Sequence, residues 1–134
     1  MSEQDSPTLP TDAGPDPIAG WLSVPEVAER LGVRDREVRT MLRDRRLLAV
    51  RRAEGRGPQI PRDFLVPAQD GAPGWQALPS LRGTLVLLAD CGLDDDQAMR
   101  WLTAHDDELG EAPLAALRRD RTHAVRRVAQ TLAL

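Results

Sequence analysis

From Ser23 onward, apolar residues recur at helical spacing. Val24, Val27, Ala28 and Leu31 stand at i, i+3, i+4 and i+7, which gathers them on one face of a helix. Ser23 is a helix-capping residue type, and Glu26, three positions on, can reach back to the Ser23 amide. Pro25 falls in the first turn, where its missing N–H does no harm. Gly32 supplies a C-terminal stop. Three residues later a second helix is predicted from about Asp35 to Arg45. Its apolar face is Val38, Met41 and Leu42, and Arg36, Arg39, Thr40 and Arg43 lie on the opposite side.

Next, Leu47-Leu-Ala-Val-Arg-Arg52 has the pattern of a short strand. Ala53-Glu-Gly-Arg-Gly-Pro58 is a turn-rich tip, and Gln59-Ile60-Pro61 returns as the second strand of a hairpin. Pro61 is expected to limit that return strand to a short edge. Asp63-Phe64-Leu65 closes the unit by packing on the two helices. Beyond it, Pro67-Ala-Gln-Asp-Gly-Ala-Pro-Gly74 holds two Pro and two Gly in eight residues and reads as a linker.

The remainder reads as helical. Leu81 to Cys91 is strongly apolar and Gly92 ends it; Asp94 caps a helix that runs to about Trp101-Leu102. Pro113 opens a third helix, which runs to about Arg119. Thr122 caps a fourth, with Val125, Val128, Ala129 and Leu132 on one face. Connections of a few residues suit a compact bundle. The expected fold is mainly α: a winged helix-turn-helix with a short β-hairpin wing, followed by a small helical bundle. The expected organisation is an acidic disordered tail over 1–20, the winged unit over 21–66, a linker over 67–77 and a helical unit over 78–134.

Composition adds one sharp fact. The net charge is −3, yet it is unevenly spread. Residues 1–20 carry four acids and no base, residues 21–69 eleven Arg against seven acids, and residues 70–134 seven Arg against ten acids. All 18 basic residues are Arg. A basic middle between acidic ends calls for an anionic partner. A helix fits the major groove of B-DNA, where Arg can fork onto guanine and Thr can reach base edges or phosphate. Arg36, Arg39, Thr40 and Arg43 are therefore the candidate groove-reading residues. Arg34 at the helix start, with Arg51, Arg52 and Arg56 on the wing, are the candidate phosphate contacts. Glu37 and Asp44 share that helix and can offset its arginines by i,i+3 or i,i+4 pairing.

The residues Leu22-Ser-Val-Pro-Glu-Val-Ala-Glu-Arg-Leu-Gly-Val33, Val38, Arg45-Arg-Leu-Leu-Ala-Val50 and Ile60-Pro-Arg-Asp-Phe64 resemble the excisionase and MerR-type winged helix-turn-helix. That resemblance implies a second helix in the major groove and a wing on the flanking backbone. Arg34 stands where those proteins often carry a capping Ser or Thr. Trp101-Leu102, Leu109-Gly110, Pro113-Leu114, Leu117 and Val125 to Leu132 resemble the toxin-binding domain of Xre-type antitoxins. Together the halves look like small actinobacterial DNA-binding regulators.

Other chemistries find little footing. One cysteine, Cys91, excludes an internal disulfide and any multi-Cys zinc site. His105 and His123 lack ligand spacing, so no metal or other cofactor is expected. Neither a Gly-rich phosphate loop nor a GxSxG elbow is present, so the chain is not expected to be an enzyme. The longest apolar run, Leu85 to Ala89, is far too short for a membrane span, and the tail has no features of a signal or transit peptide. The expectation is a cytoplasmic, sequence-specific binder of double-stranded DNA acting in transcription. Residues 78–134 are expected to dimerise or to hold a partner protein. Rival readings are an antitoxin-like protein-interaction module and a DNA-bending recombination accessory factor. Ser2, Ser6, Thr8 and Thr11 in the acidic tail are candidate sites for a Ser/Thr kinase, whose phosphates would strengthen competition between tail and DNA.

Overall fold

The computed structural model describes residues 20–52, 57–69 and 71–132. The tail, with Ser2, Ser6, Thr8 and Thr11, lies outside them, as does Arg56. A short strand β1 (Trp21–Ser23) leads directly into helix α1 (Val24–Leu31). The expected capping box is present. The Ser23 hydroxyl accepts from the Glu26 amide at 3.3 Å, and the Glu26 carboxylate accepts from the Ser23 amide at 2.8 Å. The Ser23 amide above all, and then the Ser23 hydroxyl, favour the charged form and hold the Glu26 carboxyl below the usual glutamate range. Gly32, at φ 73°, ends α1 in the left-handed region, and the Val33 amide returns to the Ala28 carbonyl.

Helix α2 (Asp35–Arg43) packs on α1 through fully buried Val38. It stops two residues short of the expected end. Asp44 is the C-cap and Arg45 turns into the left-handed region at φ 61°, so that the Arg46 amide bonds back to the Met41 carbonyl at 2.8 Å. A non-glycine residue in that conformation costs about 1 kcal/mol.

The wing is larger than a hairpin. Strands β2 (Val50–Arg51) and β3 (Pro58–Pro61) pair antiparallel, and β1 adds on the far side, giving the order β1-β3-β2. The strand containing Pro61 is thus the middle one, not an edge. Its prolines are tolerated because both lie at its ends. The Arg62 amide donates to the Gly20 carbonyl, so by alternation the amides facing β1 are those of Ile60 and Arg62. Pro61 falls where β1 needs no donor, and Pro58, whose nitrogen points to the β1 side, lies one residue past the last β1 pair, Ser23↔Gln59.

A 3₁₀ turn (Arg62–Phe64) leads into β4 (Leu65–Pro67), which pairs with β5 (Trp75–Ala77) in the register Leu65↔Ala77, Val66↔Gln76, Pro67↔Trp75. The segment expected as a linker, 67–77, is therefore paired strand at both of its ends, Pro67 with Trp75 and Ala77 with Leu65. Pro and Gly terminate a turn as readily as they loosen a chain, and composition does not separate the two. Helices α3 (Leu81–Asp90), α4 (Asp95–Thr103), α5 (Pro113–Arg118) and α6 (Thr122–Gln130) complete the fold. Asp94 caps α4 reciprocally with Gln97, at 2.8 and 2.9 Å. Thr122 does not cap α6. Arg121 occupies the cap position without a side-chain bond, and its guanidinium instead reaches Leu109 O at 2.8 Å and Glu111 at 2.7 Å.

One continuous apolar core runs from Leu22, Val27, Val38 and Ile60 through Phe64 and Leu65 to Leu81, Leu88, Leu102, Leu117 and Val125. Side chains tie the two regions together as well. Arg118 Nη1 donates to the Asp63 and Leu65 carbonyls at 2.7 and 2.8 Å. Among the described residues no helix is long and apolar enough to cross a membrane.

Candidate nucleic-acid interface

Helix α2 has a charge pattern that suits its dipole and one apolar face that packs on α1. Asp35 and Glu37 favour its positive end and Arg43 its negative end. At 3.6 residues per turn, Arg36, Arg39, Thr40 and Arg43 fall within an arc of about 100°, opposite Val38. All four are exposed, while Met41 and Leu42 are half-buried. The burial of one face thus fixes which face meets solvent.

The offset that Glu37 and Asp44 could give the arginines is not made among the described residues. Glu37 turns back to the helix start, where its carboxylate accepts from the Arg34 amide at 2.9 Å. Arg34 itself has no side-chain acceptor, so only this half of a capping box exists, and the bond that a Ser or Thr would accept from the Glu37 amide is not made. Among the described residues, no ion pair forms to Arg34, Arg36, Arg39 or Arg43. Within those residues their guanidiniums keep donors for an external anion. Thr40 is less free than its exposure suggests. Its hydroxyl donates to the Arg36 carbonyl at 3.0 Å and accepts from Arg43 Nη2 at 3.1 Å. It braces Arg43 across the helix face.

On the wing, Arg51 is exposed in β2 opposite Pro58. Arg52 lies over the Trp21 ring, 4.4 Å from its centroid. That stacking holds the guanidinium against β1 by attraction to the ring face and leaves its edge donors exposed. Five candidates thus gather on α2 and its cap, and two at the end of β2.

The sequence reading passed over two features. Beside α2 lies a groove of about 370 Å³ whose walls include Leu31, Thr40, Met41, Arg46 and Trp75. Trp75 is 41% exposed. The other is Arg82, in the first turn of α3, whose Nε donates to the carbonyl of Asp44, the C-cap of α2, at 3.1 Å. No local pattern announces either, because both join segments more than 30 residues apart. Among the described residues, no cluster of three or more His, Cys, Asp or Glu side chains is placed to hold a metal ion.

Comparison with known proteins agrees with this architecture. Residues 11–65 match the family model described as DNA-binding protein Rv2175c, wHTH domain. Residues 78–133 match the model described as Rv2175c C-terminal domain of unknown function. The Mycobacterium tuberculosis (strain ATCC 25618 / H37Rv) protein named DNA-binding protein Rv2175c is 39% identical over 94 residues, spanning 70% of this chain and 59% of that relative's length. A solved structure, described as the NMR structure of Rv2175c, is similar with a TM-score of 0.73 and 35% identity, over 92% of this chain and 87% of that one. These matches carry the winged helix and the appended C-terminal region. They do not carry the narrower likeness to excisionases, MerR proteins or Xre-type antitoxins.

Proposed function

This chain belongs to the Rv2175c family, and we propose that it binds double-stranded DNA by laying α2 in the major groove, as a regulator of transcription. The observation that carries the reading is the outer face of α2: Arg36, Arg39 and Arg43 are exposed together opposite Val38 and lack ion-pair partners among the described residues. The name of the mycobacterial relative supports the same partner.

In this reading Arg39 and Arg43 fork onto base edges, Arg36 and Thr40 flank them, and Arg34, Arg51, Arg52 and Arg56 hold phosphates. Counting Arg36 on the flanking strand with these four, about five phosphate contacts give log K a slope near −4.5 against log salt. A single winged helix buries only about 600–1,000 Å² on DNA. Two copies on spaced half-sites would double that contact, and the mass of the complex reads this directly. Phosphorylation of the acidic tail would add competing negative charge; tail deletion tests it through the affinity at low salt.

Gel-shift titration tests the main proposal. Replacing Arg39 or Arg43 by Ala costs about 1–3 kcal/mol on a selected sequence and relaxes preference at one base position. If both variants bind like the unaltered chain, α2 is not the reading element.

A further inference from the structure

We infer that the C-terminal helices also face the duplex, through Arg82 and Arg126, and extend the phosphate-binding surface past the last turn of α2. The inference rests on the DNA-binding reading above and adds a second contact region to it.

Three observations place these groups together. Arg82 Nε is bonded to the carbonyl of Asp44, which fastens the first turn of α3 to the end of α2. Arginine has five N–H donors, and the two terminal amino groups of Arg82 have no acceptor among the described residues. Arg126, on α6, rests against the same turn of α3: its Nη2 lies 3.4 Å from where a Cβ on Gly83 would stand. Arg82, Gly83 and Arg126 are all exposed. Arg43 lies in the last turn of α2 and Arg46 just beyond it, so in this proposal the four arginines make up a cationic strip from the winged unit to the helical one, with Asp44 the acid nearest to it in the chain.

The strip stands out from the charges around it. The C-terminal region carries more acids than bases, and three of its other arginines are already engaged: Arg118 with the Asp63 and Leu65 carbonyls, Arg119 and Arg121 with Glu111. Asp95, the acid facing this end of α2 from α4, is paired with Arg45 at 3.6 Å. The first turn of α3 contains no acid. Arg82 and Arg126, by contrast, make no ion pair among the described residues and converge on one turn. A phosphate strand passing this turn of α3 can take charge-assisted bonds from both guanidiniums.

The dimensions suit a duplex. The nine residues of α2 make it about 14 Å long at 1.5 Å per residue, while the major groove is about 12 Å wide. A helix lying obliquely in the groove therefore meets a phosphate strand at its C-terminal end, where Arg82 is bonded.

Fluorescence anisotropy of the full chain on a labelled duplex, measured across a salt series, tests this. Two added contacts steepen the slope of log K against log salt from about −4.5 to about −6. Arg126→Gln makes it shallower by about 0.9 and weakens binding about fivefold at 0.15 M salt. The loss is equal for selected and random sequences, since phosphates carry no sequence information. Arg126→Lys retains the slope, and Arg127→Gln, the neighbour on α6 away from Gly83, leaves it unchanged. Far-UV circular dichroism checks that each variant is folded. If Arg126→Gln keeps the full slope and affinity while the unaltered chain binds DNA, the second contact region is refuted and the α2 reading stands. If the unaltered chain shows no salt-dependent binding at all, both fall.

Discussion

Arg118 offers the sharpest test of whether the winged and helical regions form one cooperative body. A single guanidinium nitrogen bonds two carbonyls of the winged region, at 2.7 and 2.8 Å. One of those carbonyls belongs to Leu65, which is 1% exposed. Bonds from a charged donor contribute about 1.5–3 kcal/mol each when shielded from water. Arg118 is itself exposed, so solvent weakens both, and about 2 kcal/mol is a reasonable total for Arg118→Ala. For a domain of this size that lowers Tm by about 8 °C. Thermal unfolding followed by far-UV circular dichroism and by tryptophan fluorescence reads it. Trp21 reports on the winged region, Trp75 on β5 and Trp101 on the helical region, so coincident transitions by the two probes are expected in both proteins. Arg118→Lys, whose ammonium can still reach carbonyls, recovers part of the loss. A variant that melts like the unaltered chain, or two separate transitions in the unaltered chain, would refute the cross-strut reasoning.

Further outcomes follow from the helix ends. Ser23→Ala removes half of the α1 capping box and lowers stability by about 1 kcal/mol, measured by urea denaturation. The Glu26 carboxyl is held below its ordinary range mainly by the Ser23 amide. Its contribution is therefore complete above the unfolded pKa of glutamate and is lost as pH falls through the depressed folded value; acid titration by NMR, with Glu26→Gln as control, follows that loss. Arg34→Ser supplies the missing cap acceptor on α2 and raises stability by about 0.5–1 kcal/mol, while removing one phosphate contact and so flattening the salt dependence of DNA binding by about 0.9.

Much of the fold was legible locally. The apolar spacing of α1 and α2, the Gly32 stop and the Asp94 cap are each decided within one or two turns, and sequence pattern reports such short-range physics directly. What stayed hidden is long-range. Trp21–Ser23 is three residues long, and its partner strand lies nearly 40 positions away. It is a strand only because β3 has a free edge beside it. The same holds for β4 and β5, whose intervening prolines and glycines look alike whether they make a turn or a tether.

The candidate site divides in the same way. The exposed face of α2 follows from the burial of Val38, which periodicity reveals. The uses made of Glu37, Arg52 and Arg82 do not follow from it. Glu37 chose the Arg34 amide over a neighbouring guanidinium, Arg52 found an aromatic ring 31 positions earlier in the chain, and Arg82 reached a carbonyl 38 residues away.

The most direct test of the central proposal is an ¹⁵N-labelled chain titrated with duplex DNA and followed by NMR. Amide signals of residues 34–46 and of the wing around Arg51 and Arg52 are expected to move together and saturate, while those of α5 stay in place. Signals of residues 34–46 that remain unmoved while the duplex is bound would contradict it.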